Sequence, residues 1–489
     1  MRRIHTCTTM GSINRTTDTL PFRIVLGAVI ALLLTALLSV FCACSAEEEP
    51  PAQLSLADAL ANALGSHPRL KQQEATYEDA LSGLRTSSFK TSFGWGTDAR
   101  LDRWPGDSDV SGVVFGDLTY ESFGGTQASL EFTPLGLGTE RGAMGVTVRH
   151  PLMRGSGVLS SKADLVAGAR TNVSIQEKEL YLTTQARVMD VVRAYYHAVL
   201  SRDQVEVQKD AVGYAEKALE LAQKRVEARL VAGIEEYRAK IQVKQTEDAL
   251  NRLEQKTRED MDRLMVAIGS GVGQSYVLTD TVPEVDLDKL PDLASTMKTA
   301  LANRGELFAF DQQISEQQRK LALAADELRP SLYAVAGYSS LSRDTGLVSR
   351  SALELGNFIA GFEMRFPVDR RTIREDRDVA KRGLEIMQQL RTYRMEQIAE
   401  EVRQAHRSVE RSRNSLEILT ENLKAAKKSL DDANTMLLEG LVSNREVLDA
   451  QKAQTNAESG LLAAKTDLYL ATLDLKYYKG EDLTTIGSQ

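Results

Sequence analysis

Residues 436–451, MLLEGLVSNREVLDAQ, interrupt a long helical pattern and restart it within four residues. Upstream, Ile398, Val402, Ala405, Val409, Ser412, Leu416, Leu419, Leu423, Ala426, Leu430, Ala433 and Leu437 alternate at spacings of four and three, which is the seam of a coiled coil. Gly440 can take the left-handed conformation that closes a helix. Ser443, with Glu446 three residues on, reads as a capping box that opens the next one. The stretch is therefore an αα-hairpin at the far end of a coil. A helix from about Arg371 to Leu438 would run on the order of 100 Å.

The hairpin occurs twice. RLVAGIEEYRAK (229–240) aligns with GLVSNREVLDAQ (440–451) at an offset of 211, and the same register carries Gly269 onto Gly480. Val191, Ala194, Ala198, Ser201, Val205, Val212, Ala215, Leu219, Ala222 and Val226 repeat the seam. Upstream, ALGSHPRL (63–70) is answered by ALANRGEL (300–307) at an offset of 237, so the first copy holds 26 additional residues. Each copy reads as a helix, a strand region, a very long helix, a break and another helix. A stripe of small residues on the last helix (Ala450, Ala453, Ala457, Gly460, Ala464) predicts contacts on more than one face. Arg229 stands where the second copy has Gly440. A non-glycine residue tolerates positive φ poorly, so Gly233 is expected to supply the first turn.

Between the helices the period changes to two. Phe89, Thr91, Phe93, Trp95, Thr97, Ala99 and Leu101 oppose Lys90, Ser92, Gly94, Gly96, Asp98, Arg100 and Asp102. Met144, Val146 and Val148 oppose Gly145, Thr147 and Arg149, and Phe358, Ala360, Phe362, Met364 and Phe366 oppose Gly361, Glu363 and Arg365, with Ile359 as the exception. A soluble half-buried strand would also alternate. Strands of about 9 to 11 residues with outward aromatics fit a lipid face and a watery lumen. The alternation predicts four strands, near 89–103, 142–150, 331–341 and 357–366. Four are too few to close a barrel, and edges cannot stay open in lipid, so several chains must share one. The 26 additional residues fall around DVSGVVFGDLTYESFGGTQASLEF (109–132), which reads as a further hairpin extending an external loop.

A net charge of -8 and a pI near 5.5, without a basic stripe, argue against nucleic acid as a partner. All three cysteines, Cys7, Cys42 and Cys44, lie in the first 44 residues, which leaves none for disulfides or metal sites in the body. Arginines precede an uncharged run from Ile24 to Phe41, followed by FCACSAEEEP, the plan of an export signal. Ala43-Cys44-Ser45 resembles a bacterial lipoprotein lipobox, which implies a covalent lipid on Cys44. Phe41 departs from the aliphatic residue usual there. An ordinary cleaved signal and a retained membrane helix of 18 residues stay open as alternatives.

Together with LSLADALANALGSHPRL, LRPSLYAVAGY and FEMRFPVDRR, these features resemble the TolC-like outer-membrane efflux protein family over nearly all of Leu54 to Gly480. The resemblance implies a mainly α fold with membrane β. In it, a long helical coiled-coil barrel is continued by a shared 12-stranded transmembrane β-barrel in a homotrimer, with two tandem repeats per chain. It divides the chain into a signal peptide (1–43), a lipid-anchored tether (44–53), a first repeat (54–280), a second repeat (281–480) and a tail (481–489). It implies an exit duct in contact with outer-membrane lipid, joined by a periplasmic adaptor (membrane fusion) protein to an inner-membrane transporter of RND or ABC type. Adaptor docking would fall on Gly440, Leu441 and Val442, with Leu230 and Val231 in the other copy. A pore constriction would fall on Glu446 and Asp449, which share one helix face. Equally, Glu446 reads as a cap alone and Asp449 as a solvated residue.

Catalysis finds no support in the residues. His67, His150, His197 and His406 lack metal-ligand spacing, GLGTERG and GSGVLSSK match no nucleotide loop, and no G-x-S-x-G elbow occurs. A lipid-anchored coiled-coil stalk would explain the heptads and Cys44 but not two-faced strands at matching points of both copies. An adaptor would carry one hairpin between small β-domains, not two tandem ones.

Overall fold

The computed structural model describes residues 52–89, 91–104, 107–137, 143–271, 276–286, 292–341 and 356–484. The expected signal segment 1–43 and Cys44 lie outside them, as do residues 45–51 of the expected tether and residues 485–489. The chain divides into two units. In the smaller, whose described residues are 52–54 and 276–277, strand β1 (Ala52–Leu54) pairs with β6 (Tyr276–Leu278).

The larger unit is mainly helical. Its helices are α1 (Leu56–Ser66), α2 (Pro68–Ser88), α3 (Ser161–Glu227), α4 (Ile234–Ile268), α5 (Leu293–Asn303), α6 (Gly305–Asp326), α7 (Arg370–Leu438) and α8 (Asn444–Lys479). Its strands are β2 (Thr91–Trp104), β3 (Asp107–Glu121), β4 (Gln127–Leu137), β5 (Ala143–Pro151), β7 (Ser331–Leu341) and β8 (Gly356–Arg365). None of the described helices is long and apolar enough to cross a membrane.

At 67 and 69 residues, α3 and α7 each reach about 100 Å. Packing, not propensity, sustains helices of this length. All twelve seam positions of α7 are buried or half-buried, as are their counterparts on α3. On α8, Ala457 and Ala464 are buried, whereas Ala453 remains exposed. A deeply buried stretch runs along the middle of α3, where Val188, Val191, Val192, Tyr195 and Val199 are at most 1% exposed. Across α7, α8 and α5 it continues through Ile398, Val402, Ala405, Val409, Leu468 and Ala300.

The opening helix of each repeat is broken in two, where the sequence predicts one. Pro68 opens α2 at a position where a missing N–H costs nothing, and His67 Nδ1 accepts the Arg69 N–H at 3.2 Å. Arg304, 237 residues on, occupies the equivalent joint between α5 and α6. Each joint sits against the glycine that ends a returning helix. A Cβ added to Gly269 would lie 3.3 Å from His67 Cα, and one added to Gly480 would lie 3.1 Å from Asn303 Cβ. Buried Arg304 is held by Glu401, by Glu306 at 3.3 Å and by the Tyr478 ring at 5.7 Å.

The sheet has six strands where the alternation predicts four, in the antiparallel order β2-β3-β4-β5-β7-β8. The additional residues of the first repeat form the expected hairpin, and it lies within the sheet. They are β3 and β4, inserted between the strands that correspond to the second repeat's pair. Between Gly116 and Phe132 the insertion keeps the two-residue alternation of its neighbours and pairs in step; farther out a register shift between Val114 and Gly116 breaks the β3–β4 ladder. One row, Phe93, Leu118, Leu130, Val146, Tyr338 and Phe358, runs in register across all six strands. The adjacent row on the other face is Gly94, Asp117, Glu131, Gly145, Ser339 and Asn357. On that polar face Arg149 reaches over β7 to Glu363 at 2.5 Å. The outermost strands, β2 and β8, are not paired with each other.

Candidate functional site

The loops joining α3 to α4 and α7 to α8 are built alike, bond for bond. At the end of α3, the Arg229 N–H donates to the Val226 carbonyl at 2.9 Å and the Leu230 N–H to that of Arg225 at 2.9 Å. At the end of α7, the Gly440 N–H donates to Leu437 at 3.2 Å and the Leu441 N–H to Met436 at 2.9 Å. This pair of bonds is the Schellman closure, and it requires a left-handed residue. Gly440 supplies it at φ 76°. In the first copy Arg229 itself supplies it at φ 58°, while Gly233 keeps a right-handed φ of -59°. The turn expected of Gly233 is thus made by Arg229, because the two closing bonds fix the left-handed position four residues earlier.

Ser443, the residue before α8, has extended backbone but no hydroxyl bond to the helix N-terminus. The capping box expected with Glu446 is not formed; the exposed hydroxyl can bond water instead. The Glu446 N–H donates to the Ser443 carbonyl at 3.1 Å, and the Glu235 N–H repeats this to Ala232 at 3.0 Å. The two tips are tied together by Arg225, whose guanidinium donates to the Leu437 carbonyl at 3.3 Å.

Both tips present leucine to solvent, Leu230 at 74% exposure and Leu441 at 71%, with Val231 and Val442 half-buried beneath. Glu446 and Asp449 are exposed. Asp449 lies 3.6 Å from Arg445, and Glu446 forms no ion pair among the described residues. The acidic pair is not repeated: its counterparts are Glu235 and Arg238, paired with each other at 2.7 Å. A cleft of about 250 Å³ between α4 and α8 is lined by Glu235, Arg238, Gln242, Arg445, Leu448 and Asp449. Sequence reading missed an apolar stripe on α4, the exposed Ile234, Tyr237 and Ile241. Their 211-offset counterparts are Arg445, Leu448 and Lys452, so the repeat alignment itself held the signal.

Nothing in this constellation resembles a reaction centre. Among the described residues no group of three His, Cys, Asp or Glu side chains could hold a metal ion. What the chain offers is a duplicated helical tip at one end of α3 and α7 and a two-faced sheet at the other. Two stretches, residues 118–270 and 296–481, match the family described as outer membrane efflux protein. The chain belongs to that family. As an outer membrane efflux protein it is a structural channel and not an enzyme.

Solved structures agree on the fold. The chain is similar to CusC, whose crystal structures concern conformational changes accompanying folding and transmembrane channel formation, with a TM-score of 0.69 at 13% identity over 90% of this chain and 96% of that one. It is similar to the outer membrane protein VceC of Vibrio cholerae, with a TM-score of 0.66 at 14% identity over 87% and 96%. The Campylobacter jejuni outer membrane channel CmeC gives 0.66 at 14% identity over 87% and 85%. No curated protein matches in sequence. At such identities the likeness is one of fold.

Proposed function

We propose that this outer membrane efflux protein is the exit duct of a tripartite efflux pump or a type I secretion system. Three identical copies share one transmembrane barrel and one helical cylinder. A periplasmic adaptor docks on Gly440, Leu441, Val442, Leu230 and Val231, and an inner-membrane transporter of RND or ABC type loads the duct. Glu446 and Asp449 form the narrow, cation-attracting ring, and a lipid on Cys44 anchors the mature chain after removal of residues 1–43.

One observation carries the reading. The sheet has an apolar face, a polar face and two unpaired edges, β2 and β8. In hydrocarbon an open edge costs several kcal/mol for each unpaired backbone group, so identical copies must close it around water. The exposed apolar residues Val379, Ile386, Leu390 and Tyr393 on α7, spaced seven, four and three apart, support a second contact between copies along the helices.

Reconstitution into planar bilayers tests this. Discrete conductance steps from a trimeric species are expected. A monomer that stays water-soluble after removal of any lipid and conducts nothing would overturn the proposal.

A further inference from the structure

We infer that the β3–β4 hairpin is part of the membrane wall, with Leu118 and Leu130 against bilayer hydrocarbon, so that each copy supplies six spanning strands. This rests on the channel reading above and extends it to the width of the outlet.

The hairpin's turn fixes its direction. Residues 122–126 are seated on the start of α3, the end at which strands meet helices. The Ser160 hydroxyl donates to the Phe123 carbonyl at 2.7 Å, Lys162 Nζ to that of Glu121 at 2.7 Å, and the Gly157 N–H to that of Gly124 at 3.2 Å. Lys162 is 3% exposed and lies over the Tyr120 ring. Both strands therefore leave the helix end and run the length of the sheet. A loop standing outside the membrane could not have its tip fastened there.

Pairing gives the second argument. Strand β4 matches β5 from Gln127↔Arg149 to Thr133↔Ala143, while β7 matches it on the other side from Pro151↔Tyr333 to Ala143↔Leu341. Without β4 in the wall, the same stretch of β5 would face lipid with unpaired backbone groups. At 15 and 11 residues, β3 and β4 are long enough to cross, which takes about 9 to 11 residues when tilted. Leu118 and Leu130 continue the apolar row of Val146, Tyr338 and Phe358, and Asp117 and Glu131 continue the polar one.

Three copies would then give eighteen strands, three times six, where the family resemblance implies twelve. Barrel diameter grows roughly in proportion to strand number, so the outlet would be about half as wide again.

Because residues 45–489 contain no cysteine, single-cysteine variants report each face cleanly. Leu118→Cys, Leu130→Cys, Thr119→Cys and Ser129→Cys, with Phe358→Cys and Asn357→Cys as controls, are labelled in intact outer membranes with a membrane-impermeant maleimide. Labelling in detergent shows that each variant is present. The expected result is labelling at 119, 129 and 357 and loss of labelling at 118, 130 and 358. If 118 and 130 label as fully as 119 while 358 stays protected, the hairpin lies outside the bilayer and this inference fails with the channel reading intact. Labelling at 358 as well would overturn the channel reading itself, and silence at 119 and 129 would show that their face lines no lumen.

Discussion

Arg229 and Gly440, 211 residues apart in the chain, hold the same left-handed backbone position, at φ 58° and 76°, beneath the same pair of closing hydrogen bonds. For arginine that conformation costs about 1–2 kcal/mol, more than the extra chain entropy of up to about 1 kcal/mol that a glycine loses on folding. Arg229→Gly is therefore predicted to stabilise the first tip by up to about 1 kcal/mol, slowing exchange of the Leu230 amide by up to roughly fivefold. Gly440→Ala should destabilise the second tip through the backbone alone, since a Cβ there meets nothing within 4 Å. Hydrogen exchange at both amides checks the pair, and unchanged rates at Leu230 would contradict the strain assigned to Arg229.

Equal geometry at the two tips predicts equal sensitivity. Leu230 and Leu441 are the exposed apolar residues that an adaptor would bury, and losing a central contact of this kind costs about 2 kcal/mol or more. Leu230→Glu and Leu441→Glu should each cut adaptor capture, measured by photo-crosslinking from position 442, by roughly tenfold or more with the trimer intact. Undiminished crosslinks in the double variant would remove the tips from the docking surface.

The proposed constriction predicts unequal effects from two neighbouring carboxylates. Asp449 has Arg445 at 3.6 Å, whereas Glu446 has no ionic partner among the described residues. Exposed pairs contribute at most about 1 kcal/mol, yet the arginine still cancels most of the Asp449 field at pore distances. Glu446→Gln should therefore raise basal conductance and lower cation preference more than Asp449→Asn does. Reversal potentials in asymmetric salt would measure both. Currents identical to the parent in the double variant would mean that neither side chain lines the pore.

Much of this architecture was legible because it is periodic. The four-three spacing from Ile398 to Leu437 marks residues that are buried or half-buried without exception, and the 211 offset pairs backbone bonds at both tips. The misreadings share a cause: each depended on partners that local pattern does not name. Residues 109–132 announce a hairpin, but only long-range pairing puts it inside the sheet instead of outside. Arg229 by itself disfavours positive φ, yet helix closure overrides its local preference. Ser443 has the sequence of a cap and the conformation of one, without the side-chain bond. The joints at His67 and Arg304 were visible as a repeat, though their meaning depended on the glycines packed against them.

The first of those joints carries a pH dependence. His67 must be neutral to accept the Arg69 N–H at Nδ1, and burial, followed by the positive charges of Arg187 and Arg69, holds its pKa below the ordinary 6.5, against a smaller opposing pull from Asp190. The unfolded chain thus takes up a proton near pH 6.5, before the folded chain does. His67's contribution to stability is complete above that pH and declines as pH falls through the lowered folded value. His67→Asn keeps a capping oxygen that does not titrate. Urea midpoints measured from about pH 7.5 down to about 5 should fall less steeply for this variant than for the parent, with the two curves meeting toward the acidic end. Parallel curves over the whole range would show that protonation of His67 is not what loosens the joint between α1 and α2.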